Sequence, residues 1–385
     1  MTFGGMMSKL RVRMQARIGL VAIALLVAGG CAHGSGSMLP MQAAGPGSQP
    51  AQLARPDGNV SILKLLTKKV VIGSTVDPKF GQLNPYGLTV APSTAGDFTK
   101  GDLAVCNFNA KSNVQGTGFT IVALHPTPGS KPLLVSASRT LRGCDALALG
   151  PADDIWAAAF SANGNPVLSS SGVLEANIKG APFNRPFGQV FAQPTSGSPA
   201  FYESNAGDGA IIRINLGSTF TYDVIARGFA VNHGQPGSIF GPSGLAYDPR
   251  VDTLYIVDGT NNTVVAFRKV TSIPAGGITV APGGKTFSGP SAVRARLVFA
   301  GYPLNGPISS ALLFNGHLVI GNTGNPNGRN IMVEMTPYGK ILDVRNVDRG
   351  AAGALFGMVA TGTSAADTKL YFNDDNHNDL RVLER

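Results

Sequence analysis

The stretch GPSGLAYDPRVDTLYIVDGTNNTVVAFRK, Gly241 to Lys269, decides how the rest of the chain is interpreted. It begins with a Pro-Ser-Gly turn and continues as three short apolar segments, separated by polar turn residues: Leu245 to Tyr247, Leu254 to Val257 and Val264 to Phe267. Short apolar segments joined by turn residues predict an antiparallel meander of three strands. One such meander cannot bury its own apolar face, so the fold depends on whether the chain repeats the unit.

A polar loop between two apolar strands, as in this stretch, recurs along the chain. The copies are Leu103 to Leu124, Ala200 to Asn215, Leu254 to Phe267, Leu318 to Met335 and Leu370 to Glu384. The starting turn recurs at Asn84 to Gly87, Arg185 to Gly188, Gly241 to Gly244, Gly306 to Ile308 and, in a weaker form, Leu355 to Gly357. One further unit, Cys144 to Leu174, has the apolar strands without the polar loop. The sequence therefore contains six units, which begin near residues 85, 145, 186, 242, 307 and 356.

Six such units predict an all-β fold, a six-bladed β-propeller of four-stranded antiparallel blades. Apolar segments between the units supply the fourth strands: Leu133 to Ser136, Tyr222 to Ala226, Arg296 to Ala300 and Ile341 to Arg345. The last unit ends after its third strand, Leu380 to Leu383, so its sheet needs an N-terminal strand to close the ring. Val60 to Leu66 and Lys69 to Thr75 are both available, and we favour Lys69 to Thr75 because it is the stronger β-former.

The units resemble NHL repeats, in which a strand is followed by Asp, small polar residues and Asn before the next strand begins. Leu254 to Phe267 matches this pattern, and Phe372 to Val382 has an Asn-His pair at Asn376 and His377. The resemblance covers about residues 80–385. It implies the architecture more firmly than the activity, because one fold carries many functions. Propellers related to NHL repeats include lactonases, strictosidine-synthase-like enzymes and lyases that use a metal or a histidine in the channel.

Residues 1–30 have the pattern of a signal peptide. Basic residues between Lys9 and Arg17 precede an apolar segment, Ile18 to Ala28, which is too short to span a bilayer comfortably. The small residues that follow and Cys31 resemble a bacterial lipobox, which predicts lipidation of Cys31. An ordinary secretory signal with an incidental cysteine is the alternative.

Residues 31–58, rich in Gly, Ser, Pro, Ala and Gln, predict a flexible tether, and residues 59–385 form the predicted propeller domain. We therefore expect a monomeric, exported bacterial protein of the cell envelope, held on a membrane by its lipid and facing the periplasm or the cell surface. Removal of residues 1–30 takes away four basic and no acidic residues, so the net charge falls from +9 to +5. This excess is spread along the chain, which argues against a nucleic-acid partner.

Two cysteines remain in the predicted propeller, Cys106 and Cys144. An oxidising compartment permits a disulfide between them, and closing this loop of roughly 40 residues would contribute about 3–4 kcal/mol. Two buried free thiols are the alternative. No Cys-x-x-Cys or Cys/His spacing indicates a zinc site.

The loops between second and third strands hold the candidate ligand residues, because alternating strand directions put them at the same end of each blade as the starting turns. The candidates at this rim of the channel are Asn107, Asn205, Asp258, Asn261, Asn322, Asp374, Asp375 and His377. A ring of carboxylate and amide oxygens would suit Ca²⁺ or a polar ligand such as a sugar. The competing interpretation is structural, because Asn and Asp at strand ends hydrogen-bond their own turns.

No motif in the sequence assigns a reaction. The nucleophile elbow Gly-x-Ser-x-Gly is absent, the five histidines are scattered, and no glycine-rich phosphate loop precedes a helix, which argues against nucleotide binding. We therefore assign no catalytic residue and no cofactor beyond the candidate Ca²⁺. We expect a binding or scaffold module for a protein or polysaccharide, and the alternative is a hydrolase or lyase of the lactonase or strictosidine-synthase type. Polar and charged side chains converging on the channel would favour the enzyme, and a channel lined by small or apolar residues would favour the binding module.

Overall fold

The computed structural model describes residues 59–151, 153–217, 219–232 and 241–385, and every structural statement below refers to these residues. The predicted signal peptide, the predicted tether and Cys31 lie outside them.

Twenty-six strands form six sheets, and β1 (Lys68–Ser74) is the first of them along the chain. Blade 1 contains β2 (Leu83–Val90), β3 (Leu103–Asn109), β4 (Thr120–Leu124) and β5 (Leu133–Ala137). Blade 2 contains β6 (Cys144–Leu149), β7 (Ile155–Ala159), β8 (Gly164–Leu168) and β9 (Leu174–Lys179). Blade 3 contains β10 (Pro186–Ala192), β11 (Ala200–Asn205), β12 (Ala210–Asn215) and β13 (Thr221–Arg227).

Blade 4 has an insertion between its third and fourth strands. It contains β14 (Pro242–Asp248), β15 (Thr253–Asp258), β16 (Thr263–Arg268) and, after the short β17 (Ile278–Val280) and β18 (Phe287–Ser288), the strand β19 (Ala295–Ala300). Blade 5 contains β20 (Pro307–Leu312), β21 (Leu318–Asn322), β22 (Asn330–Met335) and β23 (Ile341–Asp348). Blade 6 contains β24 (Met358–Thr361), β25 (Lys369–Asp374) and β26 (Asp379–Glu384), with β1 as its outer strand.

The predicted six-bladed propeller is therefore confirmed, including the origin of the closing strand. β1 pairs antiparallel with β26 from Lys68 opposite Glu384 to Ser74 opposite Asp379. This pairing covers the free edge that β26 would otherwise present to solvent. Apolar side chains pack between neighbouring blades in separate clusters. Because successive side chains of a strand point to opposite faces of its sheet, each strand contributes apolar residues to two blade interfaces.

The segment before β1 is held on blade 5 by one buried carboxylate. Glu334 accepts hydrogen bonds from the Ser61 hydroxyl at 2.6 Å, from the backbone N–H of Leu63 at 2.8 Å and from His317 Nδ1 at 2.8 Å. Burial by itself would raise the pKa of Glu334, but these hydrogen bonds outweigh it and lower the pKa. Leu63 and Leu66 pack beside this site in the core between blades 5 and 6, so the N-terminal segment adds packing as well as a strand.

Close packing of the inner strands explains the glycine of the recurring turn. A Cβ atom on Gly87 would lie 2.9 Å from Ala146 Cα of blade 2, and one on Gly188 would lie 1.8 Å from the Ser243 carbonyl oxygen of blade 4. A Cβ on Gly357 would lie 2.2 Å from the Tyr86 carbonyl oxygen, across the junction between the last blade and the first. The turn glycines are therefore needed where one inner strand meets the next around the ring.

The two strands of an insertion in blade 4, β17 and β18, were not predicted from the sequence. β17 pairs in parallel with β13 of blade 3, and β18 pairs with β17, so the sheet of blade 3 has six strands. Four short 3₁₀ helices complete the described structure: Leu63–Leu65, Arg139–Leu141, Val270–Ser272 and Ala292–Arg294. In the described part of the chain, no helix has the length and apolar character that crossing a membrane requires.

Candidate functional site in the central channel

A cavity of about 680 Å³ lies in the centre of the ring, between the six inner strands β2, β6, β10, β14, β20 and β24. Most of its lining is small or apolar, as at Gly87, Leu88, Ala146, Val190, Ala246 and Met358. The lining also includes Pro92, Pro151 and Gln193, which are exposed at the far ends of the inner strands. The cavity therefore reaches the surface at that rim, which we call the open rim. Its volume falls in the range of small-molecule sites, about 300–1,000 Å³.

The other end of the channel is closed by a layer of aromatic rings. Tyr86 stacks on Phe356 with ring centroids 3.7 Å apart and on Phe108 at 4.2 Å, and it meets the edge of Phe187 at 6.4 Å. Tyr86, Phe187 and Phe356 occupy the same place in their units, directly before the turn glycine. Aromatic residues at one repeated position thus converge on the axis and close this rim, which we call the closed rim.

Asp145 takes this repeated position in the degenerate blade. It follows Cys144, which pairs with Ala159 at the end of β7, as Tyr86 follows Pro85, which pairs with Asn107. Asp145 is 4% exposed and lies at the cavity wall, but both of its carboxyl oxygens are shielded from the cavity, and neither has a hydrogen-bond partner within the described protein. Burial, and to a smaller extent the nearby Cys106, raise the pKa of Asp145 well above its ordinary value. The closed end of the cavity therefore contains one buried carboxyl group that favours its uncharged form.

Gln189 is the second polar side chain of the wall that lacks partners. Gln189 is 8% exposed and lies at the cavity wall on β10, but its Nε2 and Oε1 are shielded from the cavity and without hydrogen bonds in the described structure. The Ser310 hydroxyl of β20, at the corresponding wall position of blade 5, also lacks a hydrogen-bond partner there. Gln189 lies opposite Glu203 in the β10–β11 pair, so both side chains are on the same face of the sheet. Glu203 is fully buried, accepts a hydrogen bond from Asn165 Nδ2 of blade 2, and has a pKa raised well above the ordinary value by burial. A polar row thus lies behind the cavity wall, in the interface between blades 2 and 3.

The eight residues predicted to be ligands lie near the closed rim, and none of them lines the cavity. Several bind the backbone of a turn: Asn107 Nδ2 donates to the Thr75 carbonyl at 3.0 Å, Asn205 Nδ2 to the Pro182 carbonyl at 2.8 Å and Asn322 Nδ2 to the Pro303 carbonyl at 3.1 Å. Asp258 accepts from the amide N–H groups of Thr260 and Asn261, and from Asn261 Nδ2 at 2.7 Å. In the structure these five side chains, on four blades, support loops and do not converge.

Only Asp374, Asp375 and His377 come together, and Asp348 of blade 5 joins them. One ligand atom from each of Asp348, Asp374 and His377 lies within 4.8 Å of the others, close enough to share a cation. However, Asp374 already pairs with Arg381 at 2.9 Å, so the group contains its own positive charge. Burial and the neighbouring Asp374 raise the pKa of Asp375 to about 7. A calcium ion at this rim stays a prediction.

The two cysteines lie side by side in the core between blades 1 and 2. Both are free thiols and fully buried, and Cys106 Sγ donates a hydrogen bond to the Cys144 carbonyl at 3.0 Å. Burial raises the pKa of Cys144 well above its ordinary value, which disfavours the reactive thiolate. The disulfide considered in the sequence analysis remains a prediction.

Asp145 and Gln189 were missed in the sequence analysis, which searched the polar loops rather than the inner strands. The signal for Gln189 was present, because it directly follows the Pro-Phe-Gly turn at a position where four other units have Leu or Met and one has Ser310. For Asp145 the signal was weaker, since its unit lacks the turn and the polar loop by which the others were aligned. Substitution of a polar residue at an apolar inner-strand position is the pattern that identifies both.

Known proteins share the fold of this chain. No protein-family model matches it, and neither does any curated protein sequence. Among solved structures, a putative gluconolactonase has a TM-score of 0.51 and 13% identity, with 82% of this chain and 91% of that chain covered. Regucalcin, a calcium-binding protein from Agrobacterium tumefaciens, has a TM-score of 0.50 and 15% identity, covering 81% and 93%. The PQQ-bound aldose sugar dehydrogenase from Streptomyces coelicolor has a TM-score of 0.50 and 15% identity, covering 82% and 97%. At these identities the likeness is one of fold, that of the six-bladed propeller, and it does not single out NHL repeats.

Proposed function

We propose that this protein is an exported, lipid-anchored propeller that binds a small-molecule ligand in its central channel. The observation that carries the proposal is the cavity of about 680 Å³, which is closed by stacked aromatic rings at one rim and reaches the surface at the other. A mainly apolar lining with a few polar groups that lack partners is typical of ligand sites. The proposal moves the expected binding site from the polar loops to the inner strands, while a protein or polysaccharide partner on the outer surface remains a separate prediction.

The channel proposal is tested by filling the cavity from its wall. Thr89 lines the cavity on β2 and is half-buried, so Thr89→Trp should place a large ring inside it. Thr279 is exposed on β17, away from the channel, and Thr279→Trp is the matched control. A set of uncharged aromatic fragments is screened against the three proteins by ligand-observed NMR. We expect some fragments to bind the wild type and Thr279→Trp with similar affinity. The same fragments should bind Thr89→Trp at least tenfold more weakly. Fragments that bind all three proteins equally, or no binding fragment at all, would contradict the proposal.

A second candidate is a hydrolase or lyase that works in the same cavity, and Asp145 is the observation that favours it. Burial raises the pKa of the Asp145 carboxyl and favours its protonated form, which can donate a proton to a leaving group when the side chains that shield it from the cavity move apart. The names of structures with this fold include a putative gluconolactonase and a sugar dehydrogenase, which at this sequence identity bear on the fold alone. Turnover of a lactone or ester panel that disappears in Asp145→Asn, while fragment binding persists, would favour the enzyme over the binding module.

A further inference from the structure

The first described residues lie against the outer edges of blades 5 and 6. Asn59 accepts a hydrogen bond from Lys340 Nζ at 2.7 Å, and Lys340 is in the turn before β23, the outer strand of blade 5. From there the chain crosses to blade 6 and enters β1, the outer strand of that blade. The chain that leads to Cys31 therefore leaves the propeller at this outer edge, so the surface around Asn59 is the one nearest to the predicted tether.

The outer edges of three blades are joined here into one surface. Lys69 Nζ donates to a backbone carbonyl of β23 at 2.7 Å, and Arg345 of β23 donates to a carbonyl of the segment before β1. The amide of Ser130, in the turn before β5 of blade 1, donates to the Ile72 carbonyl of β1 at 3.0 Å. The basic residues of this surface, which we call the basic face, are Lys64, Lys68, Lys69, Lys131, Lys340 and Arg345.

The positive charge of the basic face is not neutralised by ion pairs. In the described part of the chain, none of its six basic groups pairs with a carboxylate. Lys69, Lys340 and Arg345 donate only to uncharged carbonyl and amide oxygens. Two carboxylates lie on the same strands, Asp343 of β23 and Glu384 of β26, and Glu384 pairs with Lys369 at 3.1 Å. The face therefore presents an excess of positive charge to the solvent.

Exposed apolar side chains accompany these charges. They belong to the outer strands β1, β5 and β23, to the residue after Asn59 and to the turn that contains Lys340. Five of the eleven large hydrophobic side chains exposed in the described structure are found here: Val60, Val71, Leu133, Tyr338 and Val344. An anionic bilayer matches both features, because its phosphates attract Lys and Arg while apolar and tyrosine side chains settle among its head groups.

We propose that the basic face docks on the anionic phospholipids of the bilayer that holds the lipid anchor, and thereby orients the propeller on the membrane. This inference rests on the anchor of the proposed function and is independent of the channel ligand.

A weak interaction is sufficient for this docking, because the anchor keeps the bilayer close. A flexible tether of the 27 residues between Cys31 and Asn59 would have a root-mean-square span of about 30 Å, which keeps the local concentration of lipid high. Each Lys or Arg near an anionic surface strengthens binding about fivefold. This gain is screened beyond about 8 Å at physiological salt. The face therefore orients a tethered propeller, and by itself it does not hold an unlipidated one at that salt.

The test uses residues 31–385 with Cys31→Ala, so that no lipid is attached to the protein. Vesicles of phosphatidylcholine are compared with vesicles of equal parts phosphatidylcholine and phosphatidylglycerol, and cosedimentation at low ionic strength measures the partition coefficient. We expect roughly tenfold or greater preference for the anionic vesicles, and release from them as the salt approaches the physiological concentration. Equal binding to both vesicles would overturn the proposal. Binding to neither would overturn it in favour of a protein or acidic polysaccharide on this face.

Charge reversal assigns the binding to the basic face. The face variant replaces three of its exposed lysines: Lys64→Glu, Lys131→Glu and Lys340→Glu. We expect it to bind the anionic vesicles weaker than the wild type by roughly tenfold or more. Glutamine at the same three positions removes half as much charge and should weaken binding by about half as much on a logarithmic scale. The comparison therefore stands even where the reversed variant does not fold.

A matched control changes the net charge by the same amount elsewhere on the propeller. It replaces exposed lysines on blade 2, after β16 and between β17 and β18: Lys179→Glu, Lys269→Glu and Lys285→Glu. Its binding to the anionic vesicles should stay within about threefold of the wild type, because these positions lie outside the basic face. Equal losses in the face variant and in this control would show that net charge alone attracts the protein, and would overturn the proposal.

The outcomes separate this inference from the proposed function. Vesicle binding that is unchanged in the face variant but lost in Thr89→Trp would show that a lipid enters the channel, which would overturn the inference and keep the channel as a binding site. Failure of the lipid anchor appears in the fractionation of cells that produce Cys31→Ala. Failure of the basic face appears with vesicles, in an experiment that contains no anchored protein.

Discussion

At the residue scale, aspartate side chains have different roles in this protein because the fold gives them different surroundings. Asp258 accepts hydrogen bonds from its own turn, and Asp374 pairs with Arg381. Asp145 is buried at the closed end of the cavity without a partner in the described structure. Asp375 is half-buried beside the Asp374 carboxylate, and burial together with this neighbour raises its pKa to about 7. Burial raises the pKa of all four carboxyl groups, so ionisation opposes folding at each of them in spite of these different contacts.

Replacement of Asp375 by Asn is expected to stabilise the protein in a way that depends on pH. From the ordinary value of 3.8 up to about 7, the folded chain keeps a proton at Asp375 that the unfolded chain has released. The free energy of unfolding therefore falls as pH rises through this window and levels off above about 7. Asp375→Asn removes this pH-dependent loss of stability. Its free energy of unfolding should therefore equal that of the wild type at pH 4 and exceed it by about 1–3 kcal/mol at pH 8. Urea denaturation at several pH values measures this difference.

A control for this pH dependence is Asp97→Asn, which makes the same exchange at an exposed position. It should show no growing advantage between pH 4 and pH 8. An Asp375→Asn advantage that is constant with pH would show that the carboxyl group is not the cause.

At the element scale, the starting turn of each unit has two functions. Its residue before the glycine supplies the layer that closes the channel, as Tyr86, Phe187 and Phe356 show. Its glycine lets the neighbouring inner strand approach, and this approach is closest at Gly188, against the Ser243 carbonyl. The recurring Pro-x-Gly pattern is thus explained by contacts between blades and not by the turn alone.

Gly188→Ala is expected to destabilise the protein by about 2–4 kcal/mol, because a Cβ would lie 1.8 Å from a backbone oxygen that cannot move away freely. Gly217→Ala is the control, since its Cβ would meet only Thr219 O at 3.4 Å on an exposed loop, and we expect a change below about 0.5 kcal/mol. Chemical denaturation measures both variants. Similar stabilities for the two would show that β10 and β14 are not held at this distance.

Closure of the ring is the second prediction at this scale. A chain that begins at residue 59 keeps β1 and the Ser61–Glu334 contact, so its melting temperature should match that of the mature chain within about 2 °C. A chain that begins at residue 76 loses six paired positions and the packing of Leu63 and Leu66, and we expect it to lose cooperative unfolding. Near-UV circular dichroism of the single Trp, Trp156, follows the transition. Equal melting curves for the two chains would mean that β1 does not contribute to closure.

At the scale of the whole molecule, the proposed lipid anchor and the propeller make separable contributions. Cys31→Ala is expected to move the protein from the membrane fraction to the soluble fraction of the producing bacterium, because one lipidated residue supplies the anchor. The purified variant should keep the thermal stability of the propeller, since residues 59–385 contain its six sheets. Fractionation followed by immunoblotting measures the partition. Unchanged membrane association of Cys31→Ala would remove the lipid anchor from the proposal.

Much of this architecture was predictable from the sequence, because the information is local and repeated. The segment predicted to close the ring, Lys69 to Thr75, differs by one residue at each end from β1 (Lys68–Ser74), and the fourth strands lie where the apolar segments were found. The strands β17 and β18 were not predicted, since their pairing with β13 depends on a neighbouring blade rather than on a repeat. The eight polar ligand candidates were identified by type, and the structure shows two of them, Asp258 and Asn261, bonded within their own loop and three, Asn107, Asn205 and Asn322, bonded to the backbone before an inner strand.

The sequence by itself determined the number of blades, their order and the source of the closing strand, because hydrophobic alternation and turn residues act over a few residues and recur six times. Only the tertiary structure decided which side chains meet at the axis. Tyr86, Asp145, Phe187 and Phe356 are up to 270 residues apart, and they come together because the ring brings the same position of each inner strand to one point. Whether a polar residue binds its own loop or faces the cavity depends on that closure, and the closure is a property of all six blades together.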